Sequence, residues 1–365
     1  MNEDARDDTF EREFPLESER NATSHFRQSA TGMRVMGSPF LAELSGRCAE
    51  DAELMALADE VMPGQPYSFM LFGAAHSIVL ANPDDPLAPY FGKGPKAPVA
   101  DDVTFAALKD FCRRRRGEIS EIIKRRTVQF TQPWRASYLV ALIGHLLKKG
   151  AKEPLSLVEV GCSAGLLTVF DHYYYDFGPL GRLGDPANAH IRTATFEGTP
   201  PPIPRHMPQI AERFGVDLNP IDLSDPAERF WIEGLIPPDM SDELEALCAA
   251  LDVRARIPLT TIRGDAMNVV PELLPKLEHT PVIFHSVCLY QWPRSHQNKF
   301  HEVLLEASYN RTIYRLGADY IQDNPVRPSR PDPAMDLFAV NYKDGKADWE
   351  YLGVCDTQYQ VKWMV

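Results

Sequence analysis

From Ser38 onward apolar residues return at three- and four-residue spacing, and this helical period is sustained up to Gly150 through FLAELSGRCAEDAELMALADEV, SFMLFGAAHSIVLAN, FAALKDFCRRRRGEISEIIKRR and WRASYLVALIGHLLKKG. Ser38-Pro39 supplies a capping side chain followed by a proline suited to a first helical position, so the first helix is expected to start there. Residues 1–35 carry dense charge and no sustained period, which predicts a disordered tail. After Gly150 the pattern changes to short apolar runs separated by helical stretches, the alternation that builds a mostly parallel sheet. The strands are expected in SLVEV, FGVDL, PLTTIRGDA, PVIFHSVCLY and TIYRLGADY. Helices are expected from Ala164 to Tyr175, from Pro226 to Leu251 and over KFHEVLLEAS. Between Phe177 and Pro208 a Gly-, Pro- and Thr-rich segment reads as an inserted loop or hairpin, with HIRTATFEG as an exposed strand. Lys343-Asp344-Gly345-Lys346 separates two alternating runs and predicts an antiparallel pair that closes the sheet. The division that follows is a tail over 1–35, a helical domain over 36–150 and an α/β domain over 151–365.

Composition narrows the class. A chain of 365 residues with 44% hydrophobic content fills a sizeable core. It contains no run of eighteen apolar residues, and its acidic N-terminus, MNEDARDDTFEREF, does not read as a secretion signal, so a soluble cytoplasmic protein without a membrane partner is expected. Six scattered cysteines without a C-x-x-C pair argue against a disulfide framework and against a structural metal site. The net charge of -13 opposes nucleic acid binding. The basic segment DFCRRRRGEISEIIKRR is the exception, and it reads as a solvated helix face neutralised in part by Glu118 and Glu121. Nothing in the sequence decides for or against a homo-oligomer.

LVEVGCSAGL, residues 157–166, supports two chemistries. Gly161-x-Ser163-x-Gly165 fits the nucleophile elbow of a serine hydrolase, with Asp265 and His285 to complete the triad. The elbow needs earlier strands and an earlier oxyanion loop, however, and everything before Ser156 reads as helix. Glu159-x-Gly161-x-x-x-Gly165 fits the ligand loop of class I methyltransferases, and it lacks the third glycine of a dinucleotide fingerprint. In a doubly wound sheet the ligand lies beyond the carboxyl ends of the strands. Those ends carry Glu159, Asp217, Asp265 and His285-Ser286, an acidic lining better suited to the cationic cofactor S-adenosylmethionine than to NAD.

The expected cofactor site is therefore Glu159, Gly161, Ser163, Gly165, Asp217, Leu218, Asp265, Ala266 and His285. Asp217 is the expected ribose ligand, with Asp185 its weaker rival, and Asp265 serves either the adenine or a helix cap. His285 is the expected base, with Tyr290 beside it, although a buried structural histidine is the competing reading. Trp292, Gln129, Arg135, His76 and Tyr174 are expected to contact a small-molecule substrate. Against this, His76 in an apolar helix reads more simply as a core residue, and aromatic residues often serve packing. The run Asp171-His172-Tyr173-Tyr174-Tyr175-Asp176 suits a wet interface under a lid or the exposed end of a helix.

VQFTQPWRASYLVALIGHLL, LVEVGCSAGLLTVFDHYYYDFG, LGDP, FGVDLNPIDLSD, RGDA and VIFHSVCLY, in this order, resemble a bacterial family of unknown function from about Ser38 to the C-terminus. The resemblance implies a helical N-terminal cap and a Rossmann-like, seven-stranded class I methyltransferase core, without assigning an activity. Phe130-Thr131-Gln132 and the ending CDTQYQVKWMV depart from the family pattern. The expectation is an S-adenosylmethionine-dependent methyltransferase. A catalytically silent nucleotide-binding module and a serine hydrolase using Ser163, Asp265 and His285 are the alternatives.

Overall fold

Asn21 caps a helix over Ala22–Val35, its side chain accepting the Ser24 N–H while Ser24 reaches back, and Phe26 and Met33 on that helix are buried. The tail expected over 1–35 is thus replaced by a helix over 22–35, because two large apolar residues spaced for one face find a core that local charge density does not reveal. The computed structural model describes residues 21–92, 98–320, 325–326, 334–356 and 360–365. The expectation for residues 1–20 and the middle of the family-divergent ending lie outside the described residues.

The chain divides into two compact units. The first runs to Phe130 and also contains Arg229–Leu244. Its helices cover Pro39–Ala49, Ala52–Ala58, Tyr67–Ala81, Asp102–Arg114 and Arg116–Ile123, close to the expected stretches. Ser38 caps the first of these through Leu41 N–H at 3.2 Å, with Pro39 at the first helical position. Trp231 and Leu235 join this unit's core, and the Trp231 indole N–H donates to Thr127 O at 3.1 Å. The basic segment is neutralised mainly by acidic residues from elsewhere in this unit: Arg113 pairs with Glu53, Arg114 and Arg115 with Asp85, and Arg116 and Lys124 with Glu60.

The second unit contains Thr131–Glu228 and Glu245–Val365, so the helix Arg135–Lys148 belongs with the sheet rather than with the helices before it. Its strands are β1 Leu155–Val160, β2 Tyr175–Asp176, β3 Arg182–Leu183, β4 Thr195–Gly198, β5 Ile210–Asp217, β6 Thr260–Arg263, β7 Thr280–Ser286, β8 Ile313–Asp319, β9 Met335–Lys343, β10 Lys346–Cys355 and β11 Gln360–Trp363. Nine of them form one mixed sheet in the order β4-β11-β10-β9-β8-β7-β1-β5-β6, while β2 and β3 pair separately. The five strands β6-β5-β1-β7-β8 are parallel. β9, β10 and β11 continue antiparallel. The sheet has nine strands where seven were expected, because TFEG in the inserted segment is not an isolated hairpin arm but pairs in parallel with β11 at the sheet edge. The β9–β10 turn is as expected, with Asp344 at φ 51 and Gly345 at φ 69, the pair of positive φ values a two-residue hairpin turn requires.

The helix expected from Ala164 to Tyr175 is a short 3-10 helix over Leu167–His172, with Val169 outside helical geometry. Tyr173 and Tyr175 explain the early stop: both are fully buried, and their hydroxyls donate to Leu166 O at 2.9 Å and Phe170 O at 2.7 Å. Burying these rings draws the chain back onto its own first turn. Tyr173 and Tyr175 are thus packed inside, while Asp171, His172, Tyr174 and Asp176 of the same run are partly exposed.

Candidate functional site

β1 is buried along its whole length between β5 and β7, and the turn at its carboxyl end is tightly constrained. Gly161, Ser163 and Gly165 have φ values of 76, 50 and 73, and Gly161 N–H donates to Val216 O at 2.8 Å. Gly161 and Gly165 are required there for a second reason. A Cβ on Gly161 would stand 2.3 Å from Cys288 Sγ, and one on Gly165 would stand 2.3 Å from Leu259 Cδ2. The close approach at these two glycines is therefore made by the protein's own side chains.

Asp217 ends β5 half-buried and ties two loops together, taking Ser163 N–H on Oδ2 and Asn219 N–H on Oδ1, each at 2.8 Å. Glu159 lies one strand away, paired in register with Gly215 of β5 and Phe284 of β7. It is 3% exposed, and among the described residues its Oε2 has no hydrogen-bond partner. Ser163, also buried, has an Oγ in the same condition. Burial and then the nearby Asp217 charge push the Glu159 carboxyl well above the usual carboxylate range, against the pull of Thr168 N–H, Arg135 and Arg254. Glu159 therefore holds a proton where an exposed glutamate would not.

The corner between β7 and β8 is arranged differently. His285 is fully buried, with Nδ1 donating to Asp319 Oδ2 at 2.9 Å and Nε2 accepting from Arg315 Nε at 3.0 Å. Burial first, and Arg315 with it, pushes the imidazole down to about 4 despite Asp319. Asp319 also accepts the backbone N–H groups of Cys288, Leu289, Tyr290 and Tyr320. Burial works to raise this carboxyl, but His285 and the turn's N–H groups outweigh it and hold it below the usual range. Val287, a β-branched residue at φ 52, stands between the strand and the turn that Asp319 grips. With both ring nitrogens engaged away from solvent, His285 has none left for an acceptor's proton. The competing structural reading of this histidine is the one its contacts match.

Glu159, Gly161, Ser163, Gly165 and Asp217 are brought together at one edge. Asp265 is exposed and caps the Ala266–Leu273 helix through Met267 N–H at 2.9 Å, with Ala266 buried behind it. Leu218 is 65% exposed. Tyr290 is 45% exposed and meets Tyr320 edge to face at 5.7 Å. Trp292 packs against Phe300 at 5.6 Å and so serves the core. Arg135 opens the Arg135–Lys148 helix of the second unit, its Nη2 donating to Gln132 Oε1 at 3.4 Å. His76 and Gln129 fall in the helical unit, where His76 is fully buried and its Nδ1 donates to Ile236 O at 2.8 Å. Tyr174 stacks edgewise on His190 at 5.1 Å, and Asp185 closes its own turn through Ala187 N–H. Ser163, Asp265 and His285 share no hydrogen bond among the described residues, so no hydrolytic triad is assembled.

Asp319, Arg315 and Cys288 were missed from the sequence. The signal for Asp319 was present: it ends β8, as Asp217 ends β5, and strand ends are where this fold concentrates polar chemistry.

A family profile described as an uncharacterized protein conserved in bacteria (DUF2332) matches residues 23–363. The chain belongs to this family. The DUF2332 match begins in the Ala22–Val35 helix, earlier than the resemblance from Ser38. No curated protein and no solved structure matches the chain. Among the described residues, no group of three or more His, Cys, Asp or Glu is placed to hold a metal ion, and no helix is long and apolar enough to cross a membrane.

Proposed function

We propose that this protein holds S-adenosylmethionine at the carboxyl edge beside β1 and methylates a small molecule. The observation that carries the reading is the buried Glu159 of β1 with an unpartnered oxygen, one strand from Asp217 at the end of β5, where the strand order reverses. β5 and β6 lie on one side of β1, and β7 and β8 on the other, the arrangement that opens a ligand crevice in a doubly wound sheet. Two carboxyl groups oppose a pyrophosphate and suit a ligand with hydroxyl donors and a positive charge. In this reading Asp217 accepts from ribose hydroxyls, Glu159 faces the cation and Ser163 Oγ gains the partner it lacks. The bound cofactor supplies an electrophilic methyl group on a sulfonium. The chain's own contribution is alignment and exclusion of water. Since His285 offers no free nitrogen, the reading favours an acceptor that arrives already deprotonated.

The same engagement of His285 favours a second reading, a binding module without turnover. Calorimetric titration with S-adenosylmethionine, NAD and buffer alone tests the first step: saturable heat is expected with the first only, and is lost in Asp217→Ala. Saturable heat with NAD instead, or with neither, rejects the proposal. Formation of S-adenosylhomocysteine with any acceptor then separates enzyme from silent module.

A further inference from the structure

Glu159 is a carboxylic acid enclosed by a strand on either side, with Thr168 N–H favouring its charged form and its Oε2 without a hydrogen-bond partner among the described residues. A buried oxygen without a donor is a costly arrangement in a finished core, where polar atoms are almost always paired. Ser163 Oγ, on the turn that follows β1, shows the same deficit, so two oxygens at the carboxyl end of this strand lack a partner among the described residues. The charged and titratable groups that face Glu159 are Asp217 on β5, Arg135 at the start of its helix, Arg254, Cys162 on the turn, Tyr173 after the 3-10 helix and Cys288 after β7. Arg254 donates from Nη1 to Ile257 O at 3.0 Å while its buried Nε has no partner among the described residues, and Asp217 adds negative charge. None of these gives the free oxygen a donor among the described residues.

We propose that Glu159 carries a proton in the ligand-free protein and releases it when a cationic group of the ligand docks against its free oxygen, so that binding expels about one proton. Burial and the Asp217 charge hold the proton on when the site is empty, and a positive charge at contact distance removes the reason for it. The exchange involves no covalent step: the O–H proton passes to buffer, and the carboxylate left behind pairs with the ligand cation. The inference rests on the reading that this edge takes S-adenosylmethionine. It adds that affinity is coupled to pH and that the site discriminates by charge.

The experiment is calorimetry of the full chain with S-adenosylmethionine in buffers of different ionisation enthalpy, with 5′-methylthioadenosine as a ligand that keeps the adenosine and lacks the cation. Release of about one proton is expected for S-adenosylmethionine and none for methylthioadenosine, with Kd falling about tenfold per pH unit while Glu159 is protonated. In Glu159→Gln the proton count should fall to zero and Kd should stop depending on pH. Saturable binding of S-adenosylmethionine to the wild type without proton release overturns this inference and leaves the proposed function standing. Absence of binding overturns both. The wild-type measurement needs no variant, so a misfolded Glu159→Gln does not remove the test.

Discussion

The β7–β8 corner and the β1–β5 edge both bury ionisable side chains at the carboxyl end of one sheet, and they treat them in opposite ways. At the corner each ring nitrogen of His285 has a partner, Asp319 collects His285 and four backbone N–H groups, and Arg315 lies over Phe300, Phe338 and Trp349. At the edge Glu159 and Ser163 each keep an unpaired oxygen among the described residues, and Ser163 is held at a positive φ that a serine adopts only when its surroundings impose it. A fully paired buried network fixes a turn. Glu159 Oε2 and Ser163 Oγ are among several buried side-chain atoms that have no partner among the described residues, and what sets these two apart is their place at the carboxyl end of a central parallel strand, where a doubly wound sheet takes its ligand.

The contrast is broken most severely by Asp319→Ala. It strips a buried acceptor from four backbone N–H groups and from His285, and a loss of about 4 kcal/mol or outright unfolding is expected in urea denaturation. Stability unaffected within about 1 kcal/mol would remove the corner's structural role. Next comes pH. The folded imidazole of His285 is held down at about 4 from an ordinary 6.5, so as pH falls the unfolded chain takes up the proton first. Its contribution is whole above about 6.5 and gone by about 4, a loss of about 3 kcal/mol that should appear in stability curves across this window and flatten in His285→Gln.

Gly161→Ala should cost about 2 kcal/mol, since its Cβ meets Cys288 Sγ and its φ is 76. Cys288→Ala in the same chain should return part of this, which a double-mutant cycle would read as coupling. Smallest is Glu159→Gln, with the sign reversed. Glu159 is raised above its unfolded value, so its stability is present below the unfolded pKa and lost as pH rises through the folded one. The variant should therefore lie at or above wild-type stability, by about 1 kcal/mol, at pH 8 and lose that advantage in acid. A destabilised variant at pH 8 would mean that Glu159 is charged and paired in the empty protein.

Elements set by local periodicity were legible. β1, β5, β6, β7 and β8 fall in the apolar runs that predicted them, and Ser38-Pro39 and Asp344-Gly345 mark a helix start and a hairpin turn from side-chain and backbone chemistry alone. Elements set by distant partners were not. Arg229–Leu244 joins the first unit through Trp231 and Leu235, contacts no local pattern encodes. β4 is a strand because β11 lies beside it. The 3-10 turn replaces a helix because two tyrosines fold back onto Leu166 and Phe170. In the site, Glu159, Gly161 and Asp217 were readable as a loop plus a strand end. The engagement of His285 was not, since it depends on Arg315 and Asp319, thirty and thirty-four residues on in the chain.

The central claim, that ligand binding belongs to the incompletely paired edge and not to the finished corner, is tested most directly by amide hydrogen exchange with and without S-adenosylmethionine. Slower exchange is predicted across the turn from Gly161 to Gly165 and at Asn219, with the amides of Cys288, Leu289 and Tyr320 slow and unchanged throughout. Protection confined to the β7–β8 corner, or none anywhere at saturating ligand, would contradict the account.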